Sequence, residues 1–310
     1  MNFKKTAKFL FQLVFSAAVL GWLVHKLGGR DLLQTFSRMS LAVLGLGLIA
    51  YLAAQSLSAW RWAIIAKVFG FKARLVHYNA LYYLGMFYNL FLPTGYGGDV
   101  VKAVCQAPDR APPSKTFAAL SILLDRFTGF ATVLAIGGIA SWGLKAQLGI
   151  YGAVMSWGFL LSMIAAIGGV AAVSRLKFLP RKLRFIGLAL RAKGLQLIPA
   201  ALFSIVIQFL NIFIYWAIFQ SLGVRVTLTE ICFAYAIVTT ATLLPVSIGG
   251  LGVRESGWAA LMIPFGAAPS AGMSAGLIYF LIQSLASLPG LIPFFSLKIK
   301  NDERAKTLAS

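Results

Sequence analysis

The 310-residue sequence is short of charge, of acid above all, and almost without cysteine or histidine. Charged residues make up 12% of it, against about 25% in an ordinary soluble domain, so its surface is not built to face water on all sides. Cys105, Cys232, His25 and His77 are the whole supply of thiols and imidazoles, at no metal-ligand spacing and in no disulfide framework. There is no HExxH, no CxxC, no phosphate-loop lysine and no Ser-His-Asp set, so no catalytic residue, metal or cofactor is expected. Eight acidic residues face 28 lysines and arginines, for a formal net charge of +20. In a soluble protein that excess would suggest nucleic acid. Here the cations gather at the ends of apolar runs, the habit of chains that grip anionic headgroups, so the expected partner is membrane phospholipid and not nucleic acid.

What the sequence has in quantity is apolar length. Hydrophobic residues make up 59%, with a mean hydropathy of +0.83. Apolar runs fall at about 7–24, 41–65, 78–92, 116–142, 148–173, 197–221, 228–244 and 271–297. A helix needs about 20 residues to cross the ~30 Å hydrocarbon layer, and all but two of these runs approach or exceed that. The runs at 78–92 and 228–244 are shorter, and each stops at Leu-Pro followed by a glycine pair. Proline removes a backbone donor and glycine permits a tight reversal. The expected fold is therefore all-α, a polytopic membrane protein of about six spanning helices plus two re-entrant hairpins.

Lys4, Lys5 and Lys8 precede the first run without a small-residue cleavage site, so it is expected to be a retained helix. With the N-terminus inside, segments 1–8, 66–77, 103–115, 174–195 and the tail from Lys298 hold 19 cations, and the outer loops hold 5. That bias predicts a multi-pass protein of the cell inner membrane with both termini cytoplasmic. The chain is expected to form one domain over 1–310, with halves at about 1–173 and 196–297. Between them, 174–195 carries seven cations and reads either as an amphipathic segment on the inner leaflet or as a plain basic loop.

The two interrupted runs repeat each other. Leu92-Pro93, Gly97-Gly98, Val101 and Lys102 recur as Leu244-Pro245, Gly249-Gly250, Val253 and Arg254, without a gap, at an offset of 152 residues. Entering from opposite sides, such hairpins make an inverted repeat whose broken helices meet near the midplane and form a binding site. Non-helical backbone is tolerated at that depth only where it is buried in protein or lines a wet cavity. A glycine turn opening a helix offers free N–H groups and a positive dipole end, to which Lys102 and Arg254 add formal charge; together they suit an anion. The competing explanation is that the glycines serve only close helix packing.

Four acids lie in or beside apolar runs: Asp99, Asp125, Glu230 and Glu255. An ion at bilayer depth costs at least about 2.5–3.5 kcal/mol, so each needs a partner, water or a task. Asp99 and Glu255 belong to the hairpins. Asp125 is expected to face a hairpin cation and neighbouring Arg126 an anion, a structural ion pair between helices being the alternative. Arg61, between Trp60 and Trp62, reads first as a snorkelling cation. Glu230, behind Thr227, reads as a helix-start carboxylate, and Asn89 could bond freed carbonyls of the first broken helix or touch ligand. Gly137 and Gly138, inside a long run, are expected to tolerate side chains better than the hairpin glycines. The expected substrate-binding set is Asn89, Pro93, Gly97, Gly98, Asp99, Lys102, Asp125, Arg126, Pro245, Gly249, Gly250, Arg254 and Glu255.

These residues resemble the lysylphosphatidylglycerol synthase transmembrane region, also called the flippase-like domain family. The resemblance rests on Asn89 to Pro93 with Gly97 to Lys102, on Asp125-Arg126, on Pro245 with Gly249 to Glu255, and on Arg61-Trp62. It covers roughly residues 7–297. This sequence departs from the family pattern in Asp125, where Glu is also found, in Lys102, often Arg, and in Tyr96, often basic. The resemblance implies an inner-membrane protein linked to translocation of phospholipids or other lipid-linked anions between leaflets. Relatives fuse the region to a soluble aminoacyl-transferase domain. Only 13 residues follow Leu297, so lysine transfer is not expected of this chain alone. The leading expectation is a transporter-like protein; a membrane enzyme using Asp125 or Glu255 as acid or base, and a lipid-binding scaffold, are the alternatives. A separate lipid-modifying enzyme and a second copy of the chain are the protein partners left open.

Overall fold

The computed structural model describes residues 40–91, 97–106, 114–173, 194–244, 247 and 249–295. The first apolar run, Pro93, Pro245, nearly all of the basic segment and the tail fall outside them. Every described element is helical. In chain order these are α1 (Leu41–Val68), α2 (Leu75–Phe91), α3 (Gly97–Gln106), α4 (Lys115–Gly143), a single turn Lys145–Leu148, α5 (Ile150–Val173), α6 (Ile198–Ser221), α7 (Leu228–Thr242), α8 (Val253–Leu261) and α9 (Pro269–Ser287). Among the described residues four helical stretches are long and apolar enough to cross a membrane: Leu41–Val68, Lys115–Gly143, Gly194–Ser221 and Pro269–Phe295. Ile139, Val154 and Leu161, with 60–75% of their surface free, lie on the outside of this bundle. Water would penalise such a surface, and hydrocarbon does not.

Local chemistry sets the ends of the elements. The Ser40 hydroxyl accepts from Ala42 N and starts α1. Gly70 takes a φ of 88° after Phe69, and Phe71 N returns to Ala66 O, closing a Schellman turn. α6 closes in the same way: Gly223 has a φ of 75°, and Val224 N bonds Phe219 O. Glu230 is the helix-start carboxylate expected of it, completing a capping box with Thr227 at the head of α7.

The element order repeats. A long helix ends in a glycine turn, a short helix pair follows, and a second long helix closes the unit: α1, α2–α3, α4 in the first half and α6, α7–α8, α9 in the second. Contacts repeat as well. α1 lies along α6; α1 also rests on α9 as α6 rests on α4, and the second arm of each short pair packs on the long helix that follows it. This arrangement leaves the two short pairs on either side of a central space.

Candidate functional site

In the first pair, α3 folds back on α2 at a glycine contact. A Cβ at Gly98 would collide with the carbonyl of Gly85 and lie 2.8 Å from its Cα, so the two backbones touch. Gly97 and Gly98 are helical, not turn, residues. Gly98 N donates to Asn89 Oδ1 at 2.8 Å. Asn89 thus accepts from the head of α3, where the sequence suggested a bond to freed carbonyls. Gly98 takes the close-packing role that the sequence offered as the competing explanation, while the turn itself, 92–96, lies outside the described residues. The second pair is different. Gly249, Gly250 and Gly252 have φ of 59°, 79° and 84°, backbone that residues with a Cβ rarely adopt, and α8 begins only at Val253. Glu255 caps it, its Oε2 accepting from Gly252 N at 2.6 Å.

The charges meet in three groups. Lys102 Nζ lies 2.7 Å from Asp99 Oδ1, one turn apart on α3. Arg126, from α4, grips the same carboxylate through Nε at 2.9 Å and Nη2 at 3.1 Å, the anion partner expected for it. Arg254 Nε lies 3.0 Å from Glu255 Oε1, and Nη1 reaches Gln283 Oε1 at 3.3 Å. Asp125 pairs with Arg61, Nε to Oδ1 at 2.7 Å, and Arg61 Nη1 donates to Ser204 Oγ. Two expectations are corrected here: Asp125 faces no hairpin cation, and Arg61, 5% exposed, does not snorkel. Helix geometry explains this, because Arg61 lies at the α1–α4 crossing, facing inward. Each hairpin cation is also caged by rings, Lys102 at 4.4 Å from Tyr82 and Arg254 at 5.3 Å from Phe280.

Two chambers occupy the central space. The larger, about 670 Å³, is walled by Arg61, Asp99, Lys102, Arg126 and a neutral polar set that includes Gln55, Gln208 and Asn211. The smaller, about 300 Å³, is walled by Ser247, Gly249, Gly250 and Arg254. Asn89, Arg126, Tyr235, Thr239, Tyr279 and Gln283 belong to both. Arg254 Nη2 and Ser247 Oγ are buried without a hydrogen-bond partner among the described residues. Asp125 and Glu255 stand off the chamber walls, so they support cations without presenting an acid to the space. Among the described residues no His, Cys, Asp and Glu cluster could hold a metal ion.

Sequence reasoning missed several wall residues. Tyr235 OH donates to Gln208 Oε1, and Tyr279 OH to Asn211 Oδ1, both at 2.7 Å. The signal was available, since an amide within an apolar run needs a partner at depth just as a charge does.

Comparison with curated proteins finds no match. The family described as Lysylphosphatidylglycerol synthase TM region matches residues 9–290, which takes in both helix pairs, both chambers and every charged group described above. The chain belongs to the lysylphosphatidylglycerol synthase TM region family, as a polytopic helical membrane protein.

Proposed function

We propose that the chain binds an anionic phospholipid or lipid-linked substrate by its headgroup in the paired chambers and carries it between leaflets. The observation that supports this most directly is Arg254: its Nη2 is buried, has no hydrogen-bond partner among the described residues, and belongs to a side chain on the wall of the smaller chamber. A buried guanidinium donor left unpaired costs free energy that an entering anion would offset. In this proposal the short pairs are re-entrant hairpins entering from opposite faces of the inner membrane, with both termini cytoplasmic. The position of Asp125 and Glu255 behind the walls favours carriage over acid–base chemistry on the lipid.

Full-length protein in vesicles containing a headgroup-labelled anionic phospholipid tests the proposal. Label should cross between leaflets, chemically unchanged, faster than in protein-free vesicles. Arg254→Lys keeps a charge opposite Glu255 but removes the second guanidinium nitrogen, and should slow crossing by roughly tenfold or more. Equal crossing with and without protein overturns translocation, and a requirement for a soluble co-substrate would favour an enzyme.

A further inference from the structure

We infer that the groove between α4 and α5, outside the two chambers, holds a phospholipid of the adjoining leaflet, with one acyl chain lying in the groove and an anionic headgroup at Lys145. The groove has a volume of about 340 Å³ and shares no lining residue with either chamber. Leu134, Gly138 and Trp142 line it from α4, and Ser156, Trp157 and Leu160 from α5. The α4 residues extend over eight positions, a helix length of about 12 Å. Gly138 leaves the groove open. A Cβ there would meet only Phe159 Cβ at 3.5 Å and Ser156 O at 3.8 Å, ordinary contacts, whereas one at the adjacent Gly137 would lie 2.7 Å from Ala236 Cβ. The Ser156 hydroxyl already donates to Gly152 O at 2.8 Å, so the lining asks for hydrocarbon.

A cation stands where α4 ends. Lys145 Nζ lies 4.4 Å from the centre of the Trp142 ring, which holds an ammonium group beside the groove. Its backbone is held as well, since a Cβ at Gly152 would lie 2.9 Å from Lys145 Cα. The sequence has no acid between Asp125 and Glu230. Glu230, at the head of α7, is 7% exposed, and its carboxylate accepts from Thr227 N. Among the described residues no carboxylate pairs with Lys145. Trp142 and Trp157, 54% and 57% exposed, are rings of the kind that settle at a headgroup boundary. An apolar groove ending at an interfacial cation fits an acyl chain ending at a phosphate. Charge argues against the other occupants. A second copy related by an axis along the membrane normal would bring its own Lys145 to the same depth. The apolar run at 7–24 has Lys4, Lys5 and Lys8 before it and Lys26 and Arg30 after it, so either end would bring cations to Lys145.

The test places full-length protein in phosphatidylcholine nanodiscs and adds phosphatidylglycerol with brominated acyl chains, bromine being a short-range quencher of indole fluorescence. Brominated phosphatidylcholine is the reference, and the signal of Trp157 is the difference between the parent and Trp157→Phe. Its quenching should reach half-maximum at a phosphatidylglycerol fraction about fivefold lower than for the reference lipid, the pull of one lysine on an anionic lipid. Lys145→Gln should abolish that preference. Gly138→Leu puts a side chain into the groove and should lower the maximum quenching of Trp157 by at least half with either lipid. If that variant does not fold, Lys145→Gln, at an exposed position, decides alone. Equal quenching of the parent by the two lipids, or a preference that survives Lys145→Gln, overturns the headgroup contact. Full quenching in a folded Gly138→Leu puts the acyl chain outside the groove and overturns the site. Absence of quenching by either lipid overturns it as well, the groove then being covered by a second copy or by another segment of the chain. Gly138, Lys145 and Trp157 lie on neither chamber wall, so each of these outcomes is separate from lipid binding in the chambers.

Discussion

Arg61→Met isolates the buried Arg61–Asp125 pair, in which a cation of the chamber wall is tied to a carboxylate behind it. Arg61 is 5% exposed and Asp125 1%, and the pair links α1 to α4 at 2.7 Å with a further bond from Arg61 Nη1 to Ser204 on α6. Asp125 Oδ2 has no partner among the described residues, so removing Arg61 leaves the carboxylate without its cation. Stranding one member of a buried pair costs about 3–5 kcal/mol, or roughly two to three and a half decades in the folding equilibrium. Replacing both members by apolar residues removes the stranded charge as well. Arg61→Met/Asp125→Leu should therefore recover most of the loss and lie within about 1–2 kcal/mol of the parent. Unfolding of the purified protein in mixed detergent micelles, followed for the parent, both single variants and the double variant, measures the coupling. A loss below about 1 kcal/mol for Arg61→Met, or a double variant as unstable as the two singles added together, would show that the charges are not stranded and would refute the buried-pair account.

Gly98→Ala, whose new methyl would meet the Gly85 backbone, should destabilise by at least ~1–3 kcal/mol, whereas Gly45→Ala, with nothing within 4 Å, should be neutral or slightly stabilising; paired melts decide this. Gly250→Ala forces a side chain into a φ of 79° beside Thr242, and should cost about 1–2 kcal/mol and slow any lipid movement; a silent change would mean that the left-handed turn relaxes freely. Single cysteines at Ala146 and Lys182 should label from opposite faces with an impermeant reagent, as the cation count requires, and labelling from one face overturns the topology.

The membrane class, the long apolar helices and the two short helix pairs were legible because each rests on a local signal: run length, a Leu-Pro stop, a glycine pair, a cation. Partner choice was not legible. Asp125 and Arg61 are 64 positions apart, and nothing in either run says which faces of α1 and α4 will meet. The glycine pairs misled for a related reason. Gly97-Gly98 and Gly249-Gly250 are the same letters, but the first meets Gly85 across the hairpin and stays helical, while the second is extended by Gly252 into a left-handed turn. Gly137 carries the same lesson. It looked replaceable within its long run, yet a Cβ there would lie 2.7 Å from that of Ala236, whereas Gly138 has ordinary room beside Phe159.

The two halves share a scaffold and have divided its chemistry. At the repeat offset, Arg61, Asp125 and Arg126 correspond to Phe213, Leu277 and Ile278, so the second half has no copy of the buried pair or of the arginine that grips Asp99. It supplies amides instead, Gln208 and Asn211 from α6 and Gln283 from α9, each tied to a tyrosine, the backbone or Arg254. A duplicated pair with identical charges would present two equal sites, each competing for the same anion. Here the net charge sits on the first half, at Asp99, Lys102 and Arg126, and the unsatisfied donors sit on the second, at Arg254 and Ser247. Under the proposed function, an anion would be drawn by the field of one half and hydrogen-bonded by the other. Arg126, on the wall of both chambers, is the side chain through which the two contributions meet.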